Sequence, residues 1–418
     1  MITAYFDHSL DSNLFEHSIA PNGSTYWIVA HDRGIWFRQA LIDAGVECCV
    51  GQEYPVPGIY IVDVNGSPAL WTGQTILSEE QTKNVFDLLP EHVIQGIKDK
   101  KLRLVLLAWA EGHLFVNKES SNRLRPDLLK SYDAFRVIHD SSMRLQLPIE
   151  QIVVVHGNHR VVEEYQQWCN ANSIDKRITL ISGLKFFSIF NPHARSITST
   201  LINDALVNTQ AKDYNSLNRI VKIHRNDHFY ELVRRGILNQ GLVSGQIGDY
   251  HTPLFIDADH EQWRTTVHAH FPRHLDIQDF EINPADNINP WIYQNSLLTV
   301  ITETHFEDDI TFLSEKIFKP ISAGHPFLVL GNYGTLSVLE SLGFKTNFCG
   351  FGTDYDKIKD PHKRFRHVHD LLDRWVNLPR AVKINLICAS LSDIQHNFEL
   401  HRKLDLTKEM IDEIKRLH

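Results

Sequence analysis

Three consecutive polar residues, Ser314, Glu315 and Lys316, could bind an anionic ligand that also carries hydroxyl groups. Ser314 is predicted to be a helix N-cap, so Glu315 and Lys316 would lie in the first helical turn. A helix start has free N–H groups and a partial positive charge, which attract a phosphate. Lys316 would add a full positive charge, and the Glu315 carboxylate can accept two hydroxyl hydrogen bonds, as from a ribose. The alternative interpretation is a solvated ion pair on a helix surface.

The surrounding residues, 299–331, predict the elements that would position this tripeptide. The segment TVIT is β-branched and apolar, which is typical of a buried strand, and PFLVLG predicts a second one. Gly324 fits the end of the helix that Ser314 begins. Strand, helix and strand together predict a βαβ crossover in a parallel sheet. Ligands of such sheets bind beyond the carboxyl ends of the strands, where the ionisable residues of this segment gather.

A second polar stretch, LNRIVKIHR at residues 217–225, could complete an anion site. The pattern predicts a strand with cations converging at its carboxyl end, opposite the helix that starts at Ser314. The residues concerned are Asn218, Arg219, Lys222, His224 and Arg225. The alternative is a basic edge strand that binds no ligand.

The composition is that of a soluble globular protein with two or three domains. The chain has 418 residues, of which 43% are hydrophobic and 22% are charged. Its net charge of −9 leaves no general basic surface, so no nucleic-acid partner is predicted. Five scattered cysteines without a CxxC pair predict neither a disulfide framework nor a structural zinc site.

The location of the protein follows from what the sequence lacks. The first residues do not show the basic and apolar pattern of a signal peptide. No run of about 18 apolar residues occurs, so no membrane span is predicted. We therefore expect a cytoplasmic protein, and a peripheral contact with the inner face of the membrane stays open.

Alternating strands and helices predict two α/β domains. Strand patterns of the first half occur at residues 25–31, 58–64, 102–113 and 177–183, and residues 151–172 predict a strand, a tight turn and a helix. A polar stretch at 186–216 separates them from a second alternating region, and the chain from His362 onward is nearly all helical. The predicted fold class is α/β, with two Rossmann-like domains facing a cleft and a C-terminal helical tail. The predicted boundaries are 1–190, 215–360 and 361–418.

One ordered series of segments resembles a known protein family. The series is LNR…HR, ELVRRGILNQGLVSG, WIYQNSLLTVITETHFEDDITFLSEKIFKPISAGHPFLVLG, LESLGFKT and DYD, and it spans roughly residues 215–360. It resembles the donor domain of a group of bacterial and viral glycosyltransferases. Its SEK-helix-PFLVLG part is similar to the TEK motif of α-1,3-fucosyltransferases. The first half of the chain matches only in outline, through strand–EG and strand–GN turns.

The resemblance implies a GT-B fold and an inverting transfer of a sugar from a nucleotide-sugar donor to a glycan or glycolipid acceptor. Residues 1–190 would bind the acceptor and residues 215–360 the donor. No cofactor is expected, since the nucleotide sugar is a co-substrate, and no metal is expected either. The acceptor class that the resemblance implies is that of surface polysaccharide or lipopolysaccharide assembly.

Carried over residue by residue, the resemblance also implies donor-binding roles. Glu315 would bind the ribose or sugar hydroxyls, and Lys316 and Arg225 would bind the phosphates. Glu303 would lie at a strand end facing the donor. The full donor-binding set is Asn218, Arg219, Arg225, Glu303, Ser314, Glu315 and Lys316. The chain has IVKI where relatives tend to be richer in Arg and Pro, which implies fewer cations near the phosphates.

Glycosyl transfer also requires a catalytic base. Negative charge develops on the leaving phosphate, and Lys, Arg and a helix start can stabilise it in place of a metal. An inverting displacement also needs a base that takes the proton of the acceptor hydroxyl. Glu111, in AWAEGH at the end of a predicted buried strand, is the first candidate, and His113 is the second. A helix cap or a surface acid is the alternative role of Glu111.

Two further motifs lie outside the donor series. The turn in VVVHGNHR (153–160) could bring Asn158 or His159 to the acceptor. His156 and His159 form an HxxH pair, but no third ligand follows at a suitable spacing, so no metal site is predicted there.

Asp257 and Asp259, in PLFIDADH, could form the DxD pair of a metal-dependent, single-domain glycosyltransferase. An exposed turn explains them more simply, because the surrounding residues lack the order of that fold. Three hypotheses therefore stand: a metal-independent, inverting GT-B enzyme; a metal-dependent transferase built on the two aspartates; and a non-catalytic protein that binds sugar nucleotides.

Overall fold

The computed structural model of the protein describes residues 3–6, 42, 45–50, 57–64, 84–108, 116–117, 132–183, 197–218, 220–247, 253–273, 288–306 and 310–417. The chain divides into two compact units, Met1–Lys185 with Asp405–His418, and Phe186–Leu404. Each unit contains one parallel sheet. The described part also includes an antiparallel pair, β5 (Val116–Asn117) and β6 (Tyr132–Asp133).

The sheet of the first unit has six parallel strands in the order β2-β1-β3-β4-β7-β8. Their bounds are β1 Thr3–Phe6, β2 Glu47–Val50, β3 Gly58–Asp63, β4 Leu102–Ala108, β7 Ile152–His156 and β8 Thr179–Ser182. Four of them confirm strands that were predicted from apolar runs. The predicted strand at 25–31 lies outside the described residues.

Both faces of the first sheet are covered, which explains why its strands are continuous apolar runs. Alternate residues point to opposite faces, so Leu104 and Leu106 belong to one buried cluster while Val105 and Leu107 belong to another. The second cluster also contains Met410, Ile411 and Ile414, from the last helix of the chain. This helix therefore belongs to the first unit, so the predicted tail at 361–418 is divided between the two units.

The second sheet has four parallel strands in the order β10-β9-β11-β12. Their bounds are β9 Tyr214–Leu217, β10 Gly241–Ser244, β11 Thr299–Thr302 and β12 Phe327–Leu330. The chain moves from β9 to β10 on one side and returns to place β11 on the other side of β9. The strand order therefore reverses between β9 and β11, and ligands of open α/β sheets bind at such a switch point.

The described part of the chain includes twelve α-helices, which confirm the α/β class and the helical C-terminal region. They are α1 Glu91–Lys98, α2 Ala134–Leu145, α3 Val161–Ala171, α4 Ile202–Val207, α5 Ile223–Arg234, α6 His260–His268, α7 Pro290–Gln294, α8 Glu315–Ala323, α9 Thr335–Ser341, α10 Pro361–Asn377, α11 Arg380–Lys403 and α12 Leu406–Arg416. None of these described helices has both the length and the apolar character needed to cross a membrane.

Helix α8 begins and ends where the sequence predicts. The Ser314 hydroxyl accepts a hydrogen bond from the backbone N–H of Lys316 at 3.3 Å, as an N-cap does. Gly324 ends the helix with a φ of 60°. A Cβ atom at Gly324 would lie 2.7 Å from the Cα of Thr200, so both the left-handed backbone and the close packing require glycine.

The stretch 217–225 departs from the prediction. Strand β9 ends at Leu217, and helix α5 begins at Ile223, so His224 and Arg225 lie in a first helical turn rather than at a strand end. Ile220 belonged to the predicted strand, yet it lies between β9 and α5 and is 65% exposed. Burial in the second unit selects the helix, because residues 224–232 of α5 are all buried.

Candidate functional site

The carboxyl ends of β9 and β11 meet at the switch point of the second sheet, and polar side chains join them there. The hydroxyl of Thr302, the last residue of β11, donates a hydrogen bond to the side-chain oxygen of Asn218, which follows β9. Asn218 is 3% exposed. Its amide therefore connects two strand ends, and its predicted contact with a donor stays a prediction.

Glu303, the residue after β11, is fully buried. Its carboxylate accepts hydrogen bonds from the backbone N–H of Ser314 at 3.3 Å, from the Ser314 hydroxyl and from the backbone N–H of Thr304 at 3.1 Å. Burial raises the pKa of Glu303, and the charge of Lys316 acts against that rise. The carboxylate thus holds the start of α8 from the inside of the unit, and a direct contact with a donor stays a prediction.

The backbone N–H groups at the start of α8 already have acceptors within the protein. The Ser314 N–H donates to Glu303, the Lys316 N–H to the Ser314 hydroxyl, and the Ile317 N–H to the Ser314 carbonyl oxygen at 3.3 Å. The N–H groups that were predicted to be free for a phosphate are therefore mostly hydrogen-bonded within the protein. An anion at this point would depend on the Lys316 ammonium and on the helix dipole.

Glu315 and Lys316 form a partly accessible ion pair in the first turn of α8. The Lys316 Nζ lies 2.8 Å from Glu315 Oε1, 3.2 Å from Thr304 Oγ1 and 3.4 Å from Ser314 Oγ. Side-chain exposure is 22% for Lys316 and 17% for Glu315, so a ligand can reach both. Burial acts to raise the pKa of Glu315, but the charge and hydrogen bond of Lys316 outweigh it and the pKa is lowered. The pair is therefore only partly exposed to water, which strengthens its contacts with a charged ligand.

Arg225 is 2% exposed, and its guanidinium binds the backbone of the site. It donates to the carbonyl oxygens of Ile220 at 2.9 Å, Glu303 at 3.1 Å and Thr302 at 3.3 Å. Burial lowers its pKa, which the nearby Glu303 and Glu315 carboxylates partly offset. Within the described residues the buried Nε has no hydrogen-bond partner, and the phosphate contact of Arg225 stays a prediction.

His224, next to Arg225 in α5, supports the same backbone. Its Nε2 donates to the Glu303 carbonyl oxygen at 2.9 Å, and its ring stacks on Phe306 with centroids 5.6 Å apart. Burial lowers the pKa of His224 well below the ordinary value, and the neighbouring Arg225 charge acts in the same direction. His224 is therefore neutral and adds no charge to the site.

A series of buried hydrogen bonds begins at Asn218 and runs through the interior of the second unit, and no sequence pattern predicted it. The side chain of Asn218 donates to Ser216 at 3.4 Å, and Ser216 lies 3.0 Å from His228 Nε2. His228 Nδ1 lies 2.9 Å from His369 Nε2, and His369 Nδ1 lies 2.8 Å from the Phe365 carbonyl oxygen.

The carbonyl of Phe365 determines which atom donates and which accepts in each hydrogen bond of this series. A carbonyl can only accept, so His369 must donate through Nδ1 and accept through Nε2. His228 then donates through Nδ1 and accepts from the Ser216 hydroxyl through Nε2. Burial lowers the pKa of His369 to about 4, so the ring stays neutral near pH 7. The network therefore orients Asn218 with one defined hydrogen-bond pattern.

Arg364 is a second buried arginine that sequence reasoning missed. It is 1% exposed and donates to the carbonyl oxygens of Gly331 at 3.0 Å and Phe306 at 3.1 Å. Its guanidinium also lies over the Phe306 ring, 4.8 Å from the centroid. Arg364 thus ties the turn after β12 to the loop after β11. Because Arg364 is far from both segments in the sequence, no local pattern predicted these contacts.

Three of the residues predicted to do chemistry, Glu111, His113 and Arg219, lie outside the described residues. The predicted acceptor residues Asn158 and His159 follow β7. Asn158 is 1% exposed, and its side-chain oxygen accepts from the Arg160 N–H at 3.1 Å, which shapes the turn.

Two histidines of this turn are neutral. Burial lowers the pKa of His156 to about 3 and that of His159 to about 4. His159 Nδ1 lies 3.5 Å from the Ser182 hydroxyl at the end of β8. Neutral imidazoles at the carboxyl ends of β7 and β8 can exchange hydrogen bonds with hydroxyl groups. Contact of His159 with the acceptor substrate stays a prediction.

Both aspartates of the DxD alternative precede the first residue of α6. Asp259 is the N-cap of α6, where its Oδ1 accepts from the N–H groups of Glu261 at 3.0 Å and Gln262 at 3.1 Å. Asp257 is exposed. Across the described residues, no three His, Cys, Asp or Glu side chains come together as metal ligands.

No protein-family model matches the chain, and no curated protein matches it. Among solved structures, it is similar to an alpha,alpha-trehalose 6-phosphate synthase from Burkholderia multivorans, with 10% identity and a TM-score of 0.42, covering 97% of this chain and 82% of that one. A UDP-forming alpha,alpha-trehalose-phosphate synthase from Burkholderia vietnamiensis gives 9% identity and 0.42, covering 97% and 85%. A glycosylation-associated protein complex from Streptococcus agalactiae gives 10% and 0.35, covering 96% and 62%. Likeness at this level says nothing about activity, so a function must rest on the site itself.

Proposed function

We propose that the protein is a glycosyltransferase that takes a sugar from a nucleotide-sugar donor. One observation carries the proposal: at the switch point of a parallel sheet, Lys316 and Glu315 form an accessible ion pair in the first turn of α8. Lys316 would bind a donor phosphate, and Glu315 would accept hydrogen bonds from ribose or sugar hydroxyls. A GT-B arrangement of the two α/β units is part of this proposal.

The proposed reaction is an inverting displacement. The acceptor hydroxyl oxygen forms a bond to the anomeric carbon of the donor sugar, and the bond from that carbon to the phosphate oxygen breaks. The nucleotide leaves with the electron pair, so negative charge grows on its phosphate. Lys316 and the positive end of α8 would stabilise that charge without a metal. This arrangement favours the transition state, because the charge is larger there than in the bound donor.

The proposal assigns the acceptor proton to a carboxylate of the first unit. Glu111 would take this proton as the acceptor oxygen attacks, and His113 is the second candidate. Asn158 and His159 would contact the acceptor, a glycan or glycolipid of surface polysaccharide or lipopolysaccharide assembly. The protein would act in the cytoplasm, with an acceptor that is held at the inner face of the membrane.

A donor screen tests the proposal. Thermal unfolding would be followed with UDP-, GDP-, CMP- and dTDP-sugars, because a ligand that binds only the folded protein raises its melting temperature. We expect one nucleotide class to raise it in the wild type and to have little effect on Lys316→Ala. Sugar transfer to an acceptor panel would follow with that donor.

Two outcomes of the screen would contradict the proposal. If no nucleotide sugar raises the melting temperature, the proposed donor site does not exist. A shift without donor hydrolysis or transfer to any acceptor would favour the hypothesis of a non-catalytic protein that binds sugar nucleotides.

A further inference from the structure

The turn after β12 lies against the residues proposed to bind the donor. Glu303 N–H donates to the Leu330 carbonyl oxygen at 3.0 Å, so the two strand ends are in register. A Cβ atom at Gly331 would lie 3.5 Å from Glu303 Cγ. Tyr333 follows two residues later, and its carbonyl oxygen accepts from the Thr311 hydroxyl at 3.2 Å. Tyr333 is thus tied to the segment that leads into Ser314.

The backbone of this turn is held by contacts that do not involve the Tyr333 ring. Gly334 N–H donates to the Asp356 carbonyl oxygen at 3.1 Å, and Arg364 donates to the Gly331 carbonyl oxygen at 3.0 Å. The ring is therefore carried on a rigid support. A rigid aromatic side chain loses little conformational freedom when a ligand binds it.

The Tyr333 ring is half-buried, and only one contact of its ring is seen among the described residues. The exposed Lys359 places its Nζ over one face, 5.6 Å from the centroid. Within the same part of the chain, no other aromatic ring packs on Tyr333, and its hydroxyl makes no hydrogen bond. The ring therefore offers an apolar surface and a polar edge to a flat ligand.

The start of α9, next to Tyr333, does not offer an anion site. The Asp356 carboxylate already accepts from the N–H groups of Leu336 at 3.0 Å and Ser337 at 3.2 Å. Positive charge for a phosphate is found instead at Lys316. A ligand that spans both places needs an anionic part at α8 and a flat, uncharged part at the turn after β12, which describes a nucleoside diphosphate.

We infer that Tyr333 stacks on the nucleobase of the donor, with Lys359 supporting the opposite face of its ring. The inference rests on the proposed function and assigns the part of the donor site that Glu315 and Lys316 leave open. Aromatic stacking tolerates different bases, because every nucleobase presents a π-face. Tyr333 would therefore set affinity for the nucleoside, while discrimination among bases would come from other contacts.

Titration calorimetry with UDP, GDP, CDP and dTDP tests this inference. For the diphosphate that binds best, we expect Tyr333→Ala to weaken binding about tenfold, since stacking on one base contributes roughly that much. Tyr333→Phe keeps the ring and should stay within about twofold of the wild type. Stacking lowers the ultraviolet absorbance of a nucleobase. This decrease should accompany binding to the wild type and to Tyr333→Phe, and it should be absent with Tyr333→Ala.

Trp291→Ala is a matched control, because this tryptophan is 44% exposed and its helix α7 precedes the amino end of β11. It should bind the nucleotide like the wild type. If Tyr333→Ala binds as tightly as the wild type while Lys316→Ala does not, this inference is wrong and the proposed function stands. If the wild type binds none of the four diphosphates, this inference is wrong, and the proposed function fails with it only if no nucleotide sugar raises the melting temperature.

Discussion

The buried carboxylate of Glu303 accepts hydrogen bonds from both the hydroxyl and the backbone N–H of Ser314. These contacts join the end of β11 to the N-cap of α8. Lys316 follows Ser314 by two residues, so the position of the ammonium depends on a carboxylate inside the unit. The accessible charge and its buried support are thus separate parts of one site.

A double-mutant cycle tests this coupling. Glu303→Gln and Ser314→Ala should each lower the free energy of unfolding by about 1–3 kcal/mol, because each leaves a buried polar partner without its hydrogen bond. The double variant should lose less than the two single losses added together, by about 1 kcal/mol or more. Denaturant unfolding of the four proteins would measure the four free energies.

Two further variants separate a support role from general instability. Ser314→Thr keeps the cap hydroxyl and should regain most of the donor affinity that Ser314→Ala loses. Ser341→Ala removes an exposed serine whose hydroxyl donates to the Val338 carbonyl oxygen, and it should leave donor affinity unchanged. Purely additive losses in the cycle would show that Glu303 and Ser314 act independently.

Lys316→Ala should lower kcat/KM for the donor by a factor that corresponds to about 2–4 kcal/mol of transition-state stabilisation, because a charge-assisted phosphate contact is lost. Steady-state transfer kinetics would measure it. Lys101→Ala is the control, since this lysine is 68% exposed and precedes the amino end of β4. Unchanged kinetics in Lys316→Ala would exclude its phosphate role.

Glu111→Gln should bind the donor as the wild type does and lose nearly all turnover, because glutamine cannot take the proton of the acceptor hydroxyl. Calorimetry would measure binding, and a transfer assay would measure turnover. Glu91→Gln, at the exposed start of α1, should change neither. Wild-type turnover in Glu111→Gln would show that another residue is the base, and His113 would be replaced next.

Transfer activity should persist in excess EDTA, because Lys316 is proposed to take the place of a metal at the leaving phosphate. Asp259→Asn makes the test sharper, since asparagine caps a helix as well as aspartate but binds metals weakly. This variant should keep both stability and activity. Loss of activity in EDTA with recovery in manganese, together with an inactive Asp259→Asn, would support the metal-dependent alternative instead.

Glu231 gives the second unit a defined dependence on pH. Burial acts to raise its pKa, but hydrogen bonds from Arg234 and Arg235 outweigh burial and lower the pKa from 4.5 to about 2. The folded protein therefore binds this proton less readily than the unfolded chain does. The stabilisation is complete above the unfolded pKa and is lost as the pH falls through the folded pKa.

Glu231→Gln should consequently be less stable than the wild type at pH 7. The difference in free energy of unfolding should shrink as the pH falls from about 4.5 to about 2. Denaturant unfolding of both proteins across this range would measure the difference. A difference that stays constant with pH would mean that the ion pairs of Glu231 do not stabilise the fold.

The predicted and observed start of α8 agree because its signals are local. A capping serine, a glycine at the opposite end and apolar strands on both sides act within a few residues of one another. Arg225 and Glu303 were expected to face a ligand, but the sequence could not show that both are buried. Whether a charged residue faces solvent or backbone carbonyls depends on what packs over it, and those neighbours are distant in the chain.

The sequence by itself determined the α/β class, the helical C-terminal region and the local geometry around Ser314, Glu315 and Lys316. Only the tertiary structure decided that Arg225, Glu303 and Asn218 hold the site from inside, and that Tyr333 lies beside it. The hydrogen bond between His228 and His369 shows the reason, since it joins residues 141 positions apart. Propensity and spacing act over one or two turns of chain, whereas the orientation of a buried polar group is set by partners that only folding brings together.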